Sequence, residues 1–395
     1  MDIFKKNRLN NDCKRLMFYI VIAMATMLPF SYVVSSLLLV AGWGVFAYKS
    51  FKGFFEWKRT ILDFPIMIFV IISFLSVLVS PDSAFSFYNC YNLSIDLKNI
   101  GQLKVFLSCI SLSLFIVVIY GFMQAFLGIG LTSEQIVWTD GAMFPGLKTR
   151  VFSTWQNPNL LGGYFDLMLG LMAGMFLLIK HKIVRIVIAV LFCLTAFCLT
   201  LTYARGACLS IALVIFVYSI LYNRKVLLAL IGLAVILLLS DATLVDRMTS
   251  IFTKMDTSSE MRLAFWESTI AMILDHPLLG IGWGSYFMVY PNYDYYMQGN
   301  FIKIVHAHNM YLNFMAEIGL FGFASYMVCF FGVIYKAFKA QVMKLDILVK
   351  AMFLGIGLGL SALALNGFTD YVMFNTELSM LVWLFSGIVV SGYKN

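Results

Sequence analysis

Apolar runs long enough to cross a lipid bilayer recur along almost the whole chain, and they restrict its fold more than any other feature. A helix needs about 20 mainly apolar residues to span the hydrocarbon core. Such runs read at 16–29, 33–48, 61–79, 104–127, 158–179, 183–202, 204–221, 225–240, 309–335, 351–366 and 376–392. Backbone polar groups in lipid must be satisfied within the segment, so these runs must be helices, and the alternating pattern of barrel strands is missing. With 61% hydrophobic and 12% charged residues and a mean hydropathy of +0.88, the chain falls outside soluble norms. The sequence reads as an all-α, polytopic integral membrane protein forming a single membrane domain over 1–395.

Charge sets the orientation. Lys5, Lys6, Arg8, Lys14 and Arg15 precede the first run, as in a secretory signal. No small-residue cleavage site follows; Pro29 and Ser31 lead into the second run, so an uncleaved helical hairpin is expected. Basic residues gather after the second run (Lys49, Lys52, Lys58, Arg59), after the fifth (Lys180, Lys182, Arg185), before the eighth (Arg224, Lys225) and after the ninth (Lys336, Lys339, Lys344, Lys350). The positive-inside rule makes these connections and the N-terminal tail cytoplasmic. Eleven spans cannot leave both tails inside, so a twelfth crossing is expected at about 81–100, in the weak stretch SAFSFYNCYNLSID. Both termini are then cytoplasmic. The outer side carries a loop at 128–157 and a larger one at 241–308.

Of the 28 lysines and arginines, only Lys148, Arg150, Arg205, Arg247, Lys254, Arg262 and Lys303 fall on the outer side in this topology. Balance against the acids of the long loop accounts for Arg247, Lys254 and Lys303. Arg205, in LTLTYARGACLS, sits between two runs joined by a very short connection, with no Asp or Glu in that stretch. Its guanidinium fork suits phosphate oxygens; the plainer option is snorkelling to headgroups. Arg262 lies in SSEMRLAFWESTIAMIL, where Met261, Phe265, Ser268 and Met272 recur at helical spacing, an amphipathic helix expected on the membrane surface. Its plain alternative is a pairing with Glu260 or Glu267 in water.

His308 and Asn309 open the ninth run directly after the polar, aromatic-rich loop. Histidine titrates near neutrality and can take a proton from a hydroxyl and return it. Polar groups buried at a membrane boundary tend to mark a site, although a headgroup-level histidine bonded to a carbonyl fits the sequence equally well. Asn309, Asn313 and Glu317 form a polar stripe at four-residue spacing; Asn159, Gly163 and Asp166 form another on the fifth run.

Other patterns carry less. The seven cysteines show no CxxC spacing, which speaks against a zinc site or a disulfide framework. GIGWG (280–284) lacks the strand–turn–helix unit of a dinucleotide site and reads as a tight turn. GIGLG (355–359) and GLMAG (170–174) place glycines four apart, a close-packing device. YFMVYPNYDYY could stack on sugar rings or sit in the interfacial aromatic belt. The net charge of +8 is distributed as membrane topology requires, and no nucleic-acid partner is expected.

The ordered motifs FSTWQNPNLLGGY, TYARGA, R-x3-W before HPLLGIGWGSY, and AHNMYLNFMAEIGLFGF resemble the O-antigen ligase and polymerase family of bacterial envelope assembly, over about residues 100–390. The resemblance implies a GT-C-like enzyme of about twelve crossings in the bacterial inner membrane, with its site on the periplasmic side. It implies transfer of a glycan from an undecaprenyl-diphosphate carrier to an acceptor hydroxyl. The acceptor is lipid A core for a ligase and a second carrier-linked glycan for a polymerase. It places the family's catalytic histidine on His308 and its diphosphate-binding arginines on Arg205 and Arg262. Arg150, Asn157, Asn309 and Glu317 are the supporting residues expected beside them. No Asp/His cluster is visible in the sequence, and metal-independent, cofactor-free catalysis is implied. The lean is toward ligase, with polymerase as the alternative. A transporter of the same lipid would need the arginines but not His308.

Overall fold

The computed structural model describes residues 2–54, 62–79, 100–131, 149–222, 257–295 and 304–392, with a few scattered positions between 227 and 249. Among these the regular structure is entirely helical. In chain order the helices are α1 (Asp2–Met27), α2 (Tyr32–Phe51), α3 (Asp63–Val79), α4 (Ile100–Leu127), α5 (Pro158–Leu178), α6 (Lys182–Leu201) and α7 (Arg205–Tyr222). They continue with α8 (Thr257–Asp275), the single turn α9 (Tyr286–Val289), α10 (Met310–Lys339), α11 (Ile347–Asn366) and α12 (Thr376–Gly392). Seven of them, α2, α4, α5, α6, α7, α10 and α11, are long and apolar enough to cross a membrane; α3 and α12 are shorter apolar helices. Leu37 and Val40 on α2 and Ile183 and Val187 on α6 are more than half exposed, apolar surface that suits lipid rather than water. The chain is a polytopic all-α membrane protein. The eighth run and the stretch expected to supply a twelfth crossing lie largely outside the described residues, as do Lys148, Arg247, Lys254 and Lys303.

The helix ends follow local chemistry. The pair α1–α2 turns at 28–31, where Ser31 caps α2 by accepting from Val34 N–H at 3.3 Å. α1 begins well ahead of its apolar run because the preceding polar residues continue the helix. Asn157 caps α5, with Pro158 in the first turn where its missing N–H costs nothing.

The centre of the bundle is α5 against α11, the pair in most extensive contact. The two glycine motifs meet there. A Cβ on Gly170 would strike the backbone of Gly359, and one on Gly174 the backbone of Gly355. The expected close-packing role is therefore real, and the two motifs serve one shared seam. α7 and α10 flank α11, and α3 and α8 pack on α10.

α10 is broken at Gly319, whose φ of 65° and ψ of −177° leave the helical region. Carbonyls freed by such a break must find partners. The GIGWG turn supplies them: Ile281 N–H donates to Ala316 O (2.9 Å) and Gly282 N–H to Glu317 O (3.0 Å). In return Leu320 N–H donates to Pro277 O (2.8 Å). Gly280 (φ 72°) faces Glu317 O so closely that a Cβ would lie 2.5 Å away. The motif is a turn, as expected, and it is also the plug of a broken helix.

On α8, Phe265, Ser268 and Met272 of the expected stripe are buried, packed on α10 and on Tyr286, Tyr290 and Ala307, and so hold the loop onto the bundle. Met261 is exposed, as are Leu263, Ile270 and Leu274. The described cysteines are all free.

Candidate active site

The N-terminus of α10, the C-terminus of α11, the N-termini of α5 and α7 and the C-terminus of α6 converge at one end of the bundle. His308 sits there just ahead of α10. Asn309 caps that helix, its Oδ1 accepting from Tyr311 N–H (3.0 Å) and Leu312 N–H (3.1 Å), while its Nδ2 donates to Phe368 O (3.2 Å). Asn313 Oδ1 accepts from Ala307 N–H at 3.0 Å. Glu317 is buried, and its backbone carbonyl accepts from Gly282 N–H at 3.0 Å. The polar stripe thus ties two loops to α10. Asn309 and Glu317 serve the site by holding backbone, and Asn157 does the same at α5, accepting from Asn159 N–H at 2.8 Å.

The decisive contact is His308 Nδ1 to Asp370 Oδ1 at 3.0 Å. Ionised Asp370 is an acceptor only, so His308 Nδ1 carries the hydrogen and donates. The Nε2 lone pair is then left for chemistry. The His308 side chain is 31% exposed and that of Asp370 8%, a reachable imidazole backed by a buried carboxylate. Burial by itself would raise the Asp370 pKa. The charge and hydrogen bond of His308, then His306 and Arg262, outweigh it and hold the carboxyl well below its ordinary range.

Asp370 is fixed from two further directions. Oδ1 also accepts from Tyr371 N–H at 2.8 Å, and Oδ2 accepts from Asn159 Nδ2 at 2.6 Å. Asn159 Oδ1 in turn accepts from Arg150 Nη2 at 2.7 Å, and Arg150 Nε donates to Thr202 O at 2.8 Å. One chain of hydrogen bonds therefore runs Arg150–Asn159–Asp370–His308. The non-glycine residues with positive φ among those described, Ser153 (50°), Gln156 (58°), Tyr203 (51°) and His308 (49°), all lie on the segments that feed this chain. Strained backbone collected at one place marks a functional site.

Two of the arginines lie on helices that reach this end of the bundle. On α8, the Phe265 ring stacks on His308 (centroids 5.8 Å apart, planes at 21°). Arg262, one turn earlier, donates to Ser258 Oγ at 2.7 Å, and its charge is felt at both His306 and Asp370. Arg205 opens α7. The next residue, Gly206, packs on the turn leading to Asp370, where a Cβ would lie 2.7 Å from Asn366 Oδ1. Arg150 belongs to the hydrogen-bond chain. The tyrosine-rich run divides: Tyr286 and Tyr290 are buried, stacked on each other at 5.7 Å, while Tyr295 is 57% exposed.

With this geometry in hand the comparison with known families is specific. Residues 189–327 match the O-antigen ligase family model. That segment holds Arg205, Arg262 and His308, so the family resemblance is borne out. FSTWQNPNLLGGY, Arg150, Asn159 and Asp370 lie outside the matched segment. No curated protein matches the chain.

Asp370 was missed in the sequence. A signal was present: it stands alone in GFTDYVMFN, a turn between two apolar runs that the expected topology places on the same side as His308. The sequence also shows no Asp/His cluster, and the fold makes one. His306, His308 and Asp370 bring their ligand atoms within 4.8 Å of one another. Two imidazoles and a carboxylate are a donor set that could hold a divalent transition metal.

Proposed function

We propose that the protein transfers a glycan from a polyprenyl-diphosphate carrier, undecaprenyl diphosphate by family resemblance, to an acceptor hydroxyl at the outer face of the inner membrane. The observation that carries this reading is the His308–Asp370 pair, with His308 Nε2 left for chemistry and Arg262 close enough for its charge to act on Asp370. The acceptor O–H gives its proton to Nε2 as its oxygen forms a bond to the anomeric carbon. The bond from that carbon to the diphosphate oxygen breaks, and its electron pair leaves with the carrier. A single displacement of this kind inverts the anomeric centre. Asp370 stabilises the imidazolium that forms, as the buried carboxylate of a catalytic triad does. Arg205 and Arg262 offset charge growing on the leaving diphosphate, commonly the largest catalytic contribution. The imidazolium then returns its proton to water or to the released diphosphate.

A transporter would use such arginines but has no need of an oriented imidazole, which is why transfer is preferred. Between acceptors, the ligase reading, in which lipid A core accepts the glycan, is preferred on the likeness of the motif after His308 to the ligase type. Deleting the gene in its native host and running surface glycolipid on a gel tests it. A ligase leaves bare core with carrier-linked polymer of normal length; a polymerase leaves core bearing a single repeat. Core carrying unaltered polymer would exclude both.

A further inference from the structure

His306 is a buried titratable group at this site that the proposed reaction does not use. It is 5% exposed. Its ring stacks on Phe374 (4.4 Å, 29°) and meets Tyr371 (6.0 Å) and His308 (4.2 Å) edge-on. Its Nδ1 accepts from the backbone N–H of His308 at 3.1 Å.

His308 has a φ of 49°, in the left-handed region that is uncommon for any residue but glycine, although asparagine, aspartate and histidine are enriched there. Its N–H precedes the helix and has no intrahelical carbonyl to bind. The neighbouring Ala307 N–H is held by Asn313 Oδ1, so consecutive amides of this loop are each bound by a side chain. A side-chain acceptor taking the N–H two residues on is the arrangement by which asparagine and aspartate build local turns. Here an imidazole does it, while its ring packs the loop against the segment that carries Asp370.

We propose that His306 is a positioning residue: its Nδ1 is a fixed acceptor that holds the His308 backbone in its left-handed conformation and so aims the His308 ring between Asp370 and the acceptor hydroxyl. The role requires a neutral ring, since a protonated one has two donors and no acceptor. Burial first, then the neighbouring His308, push the His306 pKa down to about 3 despite Asp370, so the ring stays neutral in the working range. The inference rests on His308 being the base.

Two substitutions separate acceptor from packing. His306→Asn keeps an acceptor where Nδ1 stands and loses the ring; His306→Phe keeps the ring and loses the acceptor. Transfer kinetics are measured on purified, reconstituted protein with a carrier-linked donor, with thermal melting as an independent measure of folding and His308→Ala alongside. A 1 Å misplacement of a catalytic group can cost about 100-fold. His306→Phe should lose at least about tenfold in kcat at nearly unchanged donor KM, and His306→Asn should retain most of it. Should the Phe protein not fold, His306→Gln replaces it, since its amide oxygen sits one bond too far out, and the same loss is expected. Wild-type kcat in the Phe or Gln protein, with His308→Ala inactive, overturns the role of His306 alone. Activity in His308→Ala overturns the reading beneath it.

Discussion

Asp370→Asn is the perturbation whose consequence can be worked furthest. The carboxylate accepts three hydrogen bonds: His308 Nδ1 and Tyr371 N–H on Oδ1, Asn159 Nδ2 on Oδ2. An asparagine offers one oxygen and one NH2. With the oxygen toward His308, the NH2 faces the Asn159 NH2, and Asn159 can turn only by aiming its NH2 at Arg150 Nη2, which it now accepts from. With the NH2 toward His308, it collides with Tyr371 N–H and forces the imidazole into the tautomer that has no free Nε2. Either way a charge-assisted bond of about 1.5–3 kcal/mol is lost, together with the charge that stabilises the imidazolium. At about 1.4 kcal/mol per decade, the expected loss is about 100-fold in kcat, and about 10,000-fold if the tautomer flips outright, as in the corresponding triad substitution. Reconstituted transfer kinetics with saturating donor measure it, and a melting curve shows that the fold persists. Activity within about threefold of wild type would refute the tautomer reasoning.

Three further outcomes are expected. Arg205→Lys and Arg262→Lys should each lose most of their transfer rate, because an ammonium cannot reproduce a bidentate fork; full turnover in both would leave only surface charge to explain them. Gly319→Ala places a Cβ against the Leu278 backbone at a φ of 65°, and by backbone strain alone should cost about 1–3 kcal/mol, seen as a lowered melting temperature, with the contact adding to it. Stability should also fall on acidification. His306 has a folded pKa near 3 against an ordinary 6.5, so between those values the unfolded chain binds more protons and stability rises with pH. The depressed Asp370 carboxyl acts in the same direction below its ordinary 3.8. Melting temperatures across about pH 7 to 4 should decline, and His306→Asn should flatten part of that slope.

Much of this architecture is legible in residues. Helices follow from apolar runs, and the glycine spacings in GLMAG and GIGLG announce a close seam, though not that they face each other. His308 is visible because an imidazole at the mouth of an apolar helix needs a reason. Asp370 is hidden because its partner lies 62 residues away and only topology brings them together. The break in α10 is equally hidden: EIGLFGF reads as continuous helix, and only the docked turn at 277–282 gives Gly319 its extended ψ. The spacing of the Met261–Met272 stripe does not reveal that Phe265, Ser268 and Met272 face the bundle, because a buried face and a membrane-facing one share the same period. The weak stretch at 81–100 falls outside the described residues.

The central claim is that this membrane protein performs a glycan transfer in which His308 removes the acceptor proton. The direct measurement is transfer of a labelled glycan from a diphosphate-linked carrier to acceptor by purified protein in liposomes, wild type beside His308→Ala. Wild type should form product and release free carrier diphosphate in equal amounts, and the folded variant should form neither. Equal product from both proteins, or carrier crossing the bilayer without any product, would contradict it.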